Sequence, residues 1–464
     1  PYTLEPLGID YPRAGVDALF DAALAAMPAW SSASPRARLG VCMEIVDRLH
    51  QDVFVLAEAV MHTAGQGPLM SYAGSGTNAL DRGVEALAYA QAAMADVPAE
   101  AFWERRFGST TLRLRKRYRL MPRGVTVCFA CATFPTWNAY PAMFASLATG
   151  NPVIVKPHPT AVLPMALAVR IFRDVLAASG FSPNLVTLCC DTATEPVGKI
   201  LVKHPRTAIV DFTGSARFGA WVEQNAPPAL CFTETSGVNT VIVESVDALE
   251  PAVKALATTM SLFSAQMCTS PQNIYVPRDG IRCGGSRIGA AEFGEALAAA
   301  MDAIAAEERR AGQILAAIQS PATTALIDEM AAAVRSRGRL LRESAPYAHV
   351  DFPRARTRTP LLAWIEAGAR DLYGEERFGP IGFVIPCADR DAALSEATRD
   401  ARERGAITAF AYSTDPDYLA RVEEGYAEAG AQLTCNLTGP MPLNFAAAYS
   451  DYHVTGLNPA GNAT

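Results

Sequence analysis

A chain of 464 residues is too long for one simple core and implies two or three domains sharing a compact particle. Half of its residues are hydrophobic and 19% are charged, and the net charge of -7 excludes the basic footprint of a nucleic-acid binder. The ten cysteines lack the dense, regular spacing of a disulfide-stapled secreted domain, so they read as reduced thiols of a cytoplasmic protein. No apolar run reaches bilayer-spanning length before Pro, Arg or Asp interrupts it, so no membrane association is expected. The first residue is Pro1 rather than Met, which leaves a removed targeting segment open.

In chain order, Asp17 to His62 is Ala- and Leu-rich at helical spacing, with Ser34 and Pro35 forming a helix start. A flexible Gly74-Ser-Gly76 precedes a helix over about Asn78 to Ala95. Thr110 to Leu120 alternates Arg113, Arg115, Arg117 and Arg119 with Leu112, Leu114, Lys116 and Tyr118, the pattern of a strand with one basic face. Lys116 spoils its apolar face. Such a strand suits pairing with another subunit, a solvated edge or, against the acidic whole, a nucleic-acid stripe. Strands are expected at Val125 to Ala130, Val153 to Lys156, Leu185 to Cys189 and Thr207 to Phe212, with helices near Pro141 to Thr149 and over Pro164 to Ser179. This alternation implies a parallel sheet covered by helices. A second α/β unit follows, with strands at Thr240 to Glu244 and Asn273 to Val276 around a helix from Leu249 to Phe263. Helical patterns fill Ala290 to Arg337, stopped by Gly338, and the chain from about Pro440 is loop-rich. The run Arg278 to Gly289 fits no regular element. Cys128 and Cys131 form a C-x-x-C within the apolar run Val125 to Ala132, with no second pair, and read as buried-strand residues rather than metal ligands or a redox pair.

Several residues carry a chemical pattern. Cys268 lies in Ser264-Ala-Gln-Met-Cys-Thr-Ser-Pro-Gln272, between a helix and a strand, a loop position that can present a thiolate. Taken alone, a cysteine there is more often a packing residue. Glu234 ends the apolar stretch Ala229-Leu-Cys-Phe232 before a Gly turn; it reads either as a cap or as a partly desolvated general base for water. Asn138, after Trp137, offers a neutral amide donor to an oxyanion. Phe212-Thr-Gly-Ser215 follows a strand, and Ser215 is a natural N-cap for a helix over Ala216 to Gln224, whose terminal N–H groups would attract a diphosphate. The G-x-G-x-x-G fingerprint is absent. Lys156 ends its strand either as a solvated terminus or as a ligand of ribose hydroxyls.

In this order the motifs resemble the aldehyde dehydrogenase superfamily over nearly the whole chain. The resemblance implies an α/β fold with a Rossmann-type cofactor domain (1–103 and 122–235), an α/β catalytic domain (236–439), and a small β oligomerisation arm with the C-terminal segment (104–121 and 440–464). It implies a nucleophile at Cys268 in Gln266-x-Cys268, a base at Glu234, 34 residues before it, and an oxyanion donor at Asn138 in Trp137-Asn138. A nicotinamide cofactor would meet Trp137, Lys156, Gly214, Ser215 and Gly219, with Glu376 and Phe378 of Glu376-Arg-Phe-Gly-Pro380 at its nicotinamide end. No metal is implied. The implied activity is oxidation of an aldehyde to a carboxylic acid through a Cys268 thioester that Glu234 hydrolyses.

Within the superfamily, Cys268-Thr-Ser-Pro-Gln-Asn273, Thr213-Gly-Ser-Ala-Arg-Phe-Gly219, Glu234-Thr-Ser-Gly-Val-Asn239 and Asn458-Pro-Ala-Gly-Asn-Ala-Thr464 are similar to the phenylacetate-degradation branch. That likeness implies a ring-opened, coenzyme A-linked semialdehyde as substrate, while the superfamily's oligomerisation arm, which falls at the basic strand around Arg115, implies a homo-oligomer, a dimer or dimer of dimers. The chain departs from the usual pattern at Thr235-Ser236, where two residues of E-L-G-G differ, and at Ala265, where a Gly precedes the motif Gln. Pro159 stands three residues after Lys156, where NAD-preferring members often carry a Glu. With no carboxylate there, and with Lys156 and His158 nearby, NADP is expected ahead of NAD. The alternatives are an acylating enzyme that passes the thioester to coenzyme A, and an idle relative with a binding or structural role.

Overall fold

The computed structural model describes residues 1–235 and 237–439. The C-terminal motif Asn458 to Thr464 and the rest of the segment from Pro440 lie outside the described residues.

The chain begins with helices Val16–Ser32, Pro35–Gln51, Val53–Ala64 and Asn78–Ala95. Ser34 caps the second, accepting from the Ala37 N–H at 3.2 Å, and Pro35 opens it. Gly74-Ser-Gly76 is not a flexible link. It is buried within a π-helical turn, Ala73–Thr77, where a Cβ on Gly76 would come within 2.9 Å of Val53 and one on Gly74 within 3.0 Å of Met70. These glycines serve close approach of neighbouring helices rather than mobility.

Next come strands β1 (Glu100–Phe107) and β2 (Thr110–Arg117), an antiparallel hairpin that touches water along nearly its whole length. The basic face read in Thr110 to Leu120 is partly answered from β1, with Glu104 paired to Arg113 at 2.5 Å and Glu100 paired to Arg115. The alternation that marks β2 did not reveal β1, whose sequence carries no clean period.

Strands β3 (Val125–Ala130), β4 (Val153–Pro157), β5 (Val186–Leu188), β6 (Thr207–Gly214) and β7 (Leu230–Thr235) form a parallel sheet in the order β5-β4-β3-β6-β7. Burial on both faces explains the continuous apolar runs. Val125, Val127 and Phe129 face one helical layer, and Cys128 and Ala130 face the other. The helix expected from Pro141 begins earlier, at Pro135, and contains Pro141 in its interior. Pro135 takes the first-turn position that costs no hydrogen bond, while Pro141 withholds a donor from the Trp137 carbonyl. Asn138 is therefore a first-turn residue.

The remaining strands are β8 (Thr240–Val243), β9 (Ser245–Val246), β10 (Asn273–Pro277), β11 (Ile281–Cys283), β12 (Ser286–Ile288), β13 (Arg339–Arg342), β14 (Leu361–Trp364), β15 (Ile381–Cys387), β16 (Thr408–Tyr412) and β17 (Gln432–Cys435). Seven of them make the second sheet, β13-β14-β15-β10-β8-β16-β17, parallel except at β13. The run Arg278 to Gly289 resolves into a β11–β12 hairpin joined to β9. Ala290 to Arg337 divides into helices Ala290–Ala305, Glu308–Ile314 and Pro321–Arg337. The expected helix to Phe263 stops at Ser261, because Phe263, Ser264 and Ala265 take left-handed backbone at φ 51°, 48° and 49°.

In the first sheet the strand order reverses between β3 and β6, and crevices for ligands form at the carboxyl ends of strands at such a point. The loops before β10 and β15 are neighbours, since those strands pair in parallel register with Asn273 opposite Phe383. These loops carry Cys268 and Glu376.

Candidate active site

The carboxyl ends of β3 to β7 and the loops before β10 and β15 enclose a cleft of about 640 Å³. Eight of the ten residues singled out in the sequence line it: Asn138, Lys156, Gly214, Ser215, Glu234, Cys268, Glu376 and Phe378. The other two stand behind it. Trp137 is buried with the Arg82 guanidinium 3.9 Å from its ring centre, and Gly219 lets its helix approach β7, where a Cβ would fall 2.4 Å from Thr235.

Asn138 and Glu234 meet directly: the Asn138 amide donates to Glu234 Oε1 at 2.7 Å, and both side chains are buried. The amide is oriented from behind. Cys131 donates through its thiol to Asn138 Oδ1 at 3.2 Å and receives the Phe134 N–H at 3.4 Å. Cys128 is buried in β3 as expected, but Cys131 is not a core residue; it lines the cleft, because the strand ends at Ala130.

Cys268 keeps partial exposure to the cleft. Burial raises its pKa well above that of an ordinary thiol, and the charges of Glu234, Cys131 and Glu376 push it in the same direction. The group at rest is a thiol. Among the charges, Glu234 opposes the thiolate most, so the charge state of Cys268 is coupled to that of Glu234.

The Cys268 loop is clamped on both flanks by amide side chains. Upstream, Gln266 donates to Phe263 O at 3.1 Å and to Ala317 O at 3.0 Å, and accepts from the Gln319 N–H at 2.8 Å. Downstream, Asn239 donates to Cys268 O at 2.7 Å and Ser270 O at 3.0 Å, and accepts from the N–H groups of Ile407 and Thr408. Gln272 fixes the segment carrying Glu376 and Phe378. It donates to Tyr373 O at 3.0 Å and Glu375 O at 3.1 Å, and accepts from the Arg377 N–H at 2.6 Å. Asn239 and Gln272 stood inside quoted motifs, yet their positioning roles depend on partners 29 to 169 residues away for Asn239 and 101 to 105 for Gln272, and left no local signal.

The other end of the cleft has the chemistry of a dinucleotide site. Ser215 caps the helix Ala216–Asn225, accepting from the Phe218 N–H at 3.4 Å, which directs a helix N-terminus at the cleft. A Cβ on Gly214 would strike the Phe212 ring at 2.6 Å. Lys156 forms an ion pair with Asp191 at 2.6 Å. A nicotinamide dinucleotide would thus find a diphosphate subsite at Gly214 and Ser215, a ribose subsite at Lys156 and Asp191, and Glu376 and Phe378 beside Cys268. The expectation of NADP rested on the absence of a carboxylate beside Lys156; the chain after β5 supplies one. Among the described residues there is no cluster of three or more His, Cys, Asp or Glu able to hold a metal, and no helix is long and apolar enough to cross a membrane.

A fold of two parallel-sheet units closing on a cysteine, a carboxylate and an amide defines the class. The Aldehyde dehydrogenase family profile matches residues 10–436, and the chain belongs to that family. It is similar to the crystal structure of an NAD-dependent aldehyde dehydrogenase from Burkholderia multivorans, with 44% identity and a TM-score of 0.93 over 97% of this chain and 80% of that one. A 3,4-dehydroadipyl-CoA semialdehyde dehydrogenase from Aromatoleum evansii is 28% identical over 326 residues, 67% of this chain and 59% of that protein. A 1-pyrroline-5-carboxylate dehydrogenase from Bacillus cereus is 26% identical over 331 residues, covering 70% and 60%. The chain thus spans about six-tenths of the length of these curated relatives.

Proposed function

We propose that the protein oxidises an aldehyde to a carboxylic acid with NAD or NADP as the electron acceptor. The observation that carries this reading is the 2.7 Å contact between the Asn138 amide and Glu234 in the cleft that Cys268 lines. Cys268, once its proton has passed to Glu234, attacks the aldehyde carbon. The resulting oxyanion is met by the Asn138 amide and the Cys268 backbone N–H, neutral donors that stabilise charge as it develops. When bound, the nicotinamide supplies the hydride acceptor, which leaves an acyl group on the Cys268 sulfur. Glu234 releases that first proton to solvent and then takes one from water, the hydroxide adds to the acyl carbon, and the Cys268 thiolate leaves and recovers a proton from Glu234 as the acid forms.

The substrate proposed is a coenzyme A-linked semialdehyde of phenylacetate-type aromatic degradation. Support comes from the quoted motifs and, for a coenzyme A-linked semialdehyde alone, from the name of the Aromatoleum evansii relative. A homo-oligomer, a dimer or dimer of dimers, is proposed from the β1–β2 hairpin, which exposes Phe102, Phe107, Leu112 and Leu114 and which as an isolated ribbon would be marginal. The ten free thiols suit a reducing compartment such as the cytoplasm.

The test is a panel of aldehydes, including semialdehyde coenzyme A esters, followed by cofactor reduction with wild type and Cys268→Ala. Turnover in the wild type, best with the coenzyme A esters and abolished in the variant, is expected. Undiminished turnover in Cys268→Ala would overturn the reading. An obligatory requirement for free coenzyme A with an acyl-CoA product would replace hydrolysis by acyl transfer.

A further inference from the structure

The Lys156 and Asp191 pair at the far end of the cleft has a consequence for which dinucleotide enters. Lys156 is the last residue but one of β4 and Asp191 follows β5, and the two strands run in parallel register with Val155 opposite Leu188. The Asp191 side chain is 1% exposed and is held at both oxygens: Oδ1 by the Lys156 ammonium at 2.6 Å, Oδ2 by the Val197 N–H at 3.0 Å. Lys156 commits a further donor to Pro157 O at 3.1 Å. Both residues line the cleft, and the ion pair and the backbone hydrogen bond hold the carboxylate fixed in that lining.

The charge balance at this end follows. Lys156 is neutralised by Asp191. His158, also in the lining, has its pKa lowered by burial and by the adjacent Lys156, so it stands as neutral imidazole. Lys199 lies in the lining with its ammonium 5.1 Å from the centre of the Trp221 ring. A ribose hydroxyl can donate to a fixed carboxylate. A phosphate ester with nearly two negative charges cannot, and it would meet that carboxylate in a poorly solvated corner.

We propose that Asp191 makes this cleft selective for NAD over NADP, by accepting from the adenosine ribose and by excluding a 2′-phosphate. The proposal rests on the reading of the cleft as a nicotinamide dinucleotide site. It assigns the selectivity to a residue from the β5 end rather than to the position three residues after Lys156, where Pro159 stands.

Equilibrium binding, followed by protein fluorescence or calorimetry with the intact chain and no aldehyde, separates the two. For wild type, NAD is expected to bind at least tenfold tighter than NADP. Asp191→Asn, which keeps the shape and the Val197 contact, is expected to narrow that ratio at least fivefold, chiefly by tightening NADP. Because Asp191 is buried, a second measurement uses wild type alone: 5′-AMP is expected to bind tighter than adenosine 2′,5′-bisphosphate. Equal affinity for NAD and NADP, an unmoved ratio in Asp191→Asn, or tighter binding of the bisphosphate would each overturn the proposal. Binding of neither dinucleotide would instead overturn the reading of the cleft on which it rests.

Discussion

Asn138→Asp is the sharpest probe of the site because it keeps shape and changes only charge. The wild-type amide donates to Glu234 Oε1 at 2.7 Å with both groups buried, so the substitution sets two carboxyl groups face to face. At that distance and an effective dielectric of about 20, two full charges repel by about 6 kcal/mol, equivalent to about 4.5 pKa units. The pair would therefore hold one shared proton up to roughly pH 9, starting from an ordinary glutamate value of about 4.3. The unfolded chain releases that proton near its ordinary value, whereas the folded variant keeps it. A carboxyl raised in the folded state contributes stability at low pH and loses it as pH rises. Relative to wild type the variant should thus weaken steadily from about pH 4 to about pH 9, by roughly 3.5 kcal/mol at neutrality, and no further above that. Turnover at neutral pH should fall by about 10²- to 10³-fold, the cost of one oxyanion donor. Calorimetric unfolding of both proteins across this range, together with turnover, measures both effects. A difference in midpoint that does not change with pH, or turnover within threefold of wild type, would refute the facing of Asn138 and Glu234 and the role built on it.

Two further outcomes follow from the same geometry. Burial first, and then the Glu234 charge, raise the Cys268 pKa, so Glu234→Gln should lower it and speed iodoacetamide labelling of Cys268 near pH 8 by about 5- to 10-fold while turnover falls at least about 100-fold. Peptide mapping distinguishes this label from one on Cys131, and slower labelling would argue against the coupling. Gln272→Ala removes the buried donors and acceptor that hold Tyr373 O, Glu375 O and the Arg377 N–H. A stability loss of about 2–4 kcal/mol and a clearly raised dissociation constant for the dinucleotide are expected, read by denaturant titration and fluorescence; unchanged dinucleotide binding would show that the segment bearing Glu376 and Phe378 does not depend on it.

The legible part of the fold was the part whose signal is periodic. Continuous apolar runs marked β3, β4 and β6 because parallel strands buried on both faces need no polar alternation. Ser34 with Pro35, and Ser215, marked helix starts by side-chain chemistry that acts within three residues. Pro141 misled because proline is as compatible with a first turn as with a tolerated break, and only tertiary packing of the helix Pro135–Ala148 decides between them. Gly74 and Gly76 misled likewise: a glycine chosen for contact looks like one chosen for freedom until its neighbours are known.

The site divides along the same line. Residues that face the cleft, such as Cys268, Glu234 and Lys156, carry chemistry in their own side chains and so stood out one by one. Asp191 did not, although it governs what Lys156 can bind, because the pairing of β4 with β5 brings the two together across the sheet. The loop presenting Cys268 shows the limit most clearly. Ala265, where the family resemblance marks a glycine, takes φ 49°, directly after Phe263 and Ser264 in the same left-handed region, each disfavoured for an L-residue by about 1–2 kcal/mol. That departure coincides with backbone that is over-determined, by Ser264 donating to Leu315 O at 2.8 Å and by the three contacts of Gln266. Asn239 holds the opposite flank at Cys268 O and Ser270 O. The thiol is therefore placed by side chains that hold its loop from both flanks, and a cysteine in a loop becomes rigidly aimed because its neighbours, not the cysteine, carry the strain.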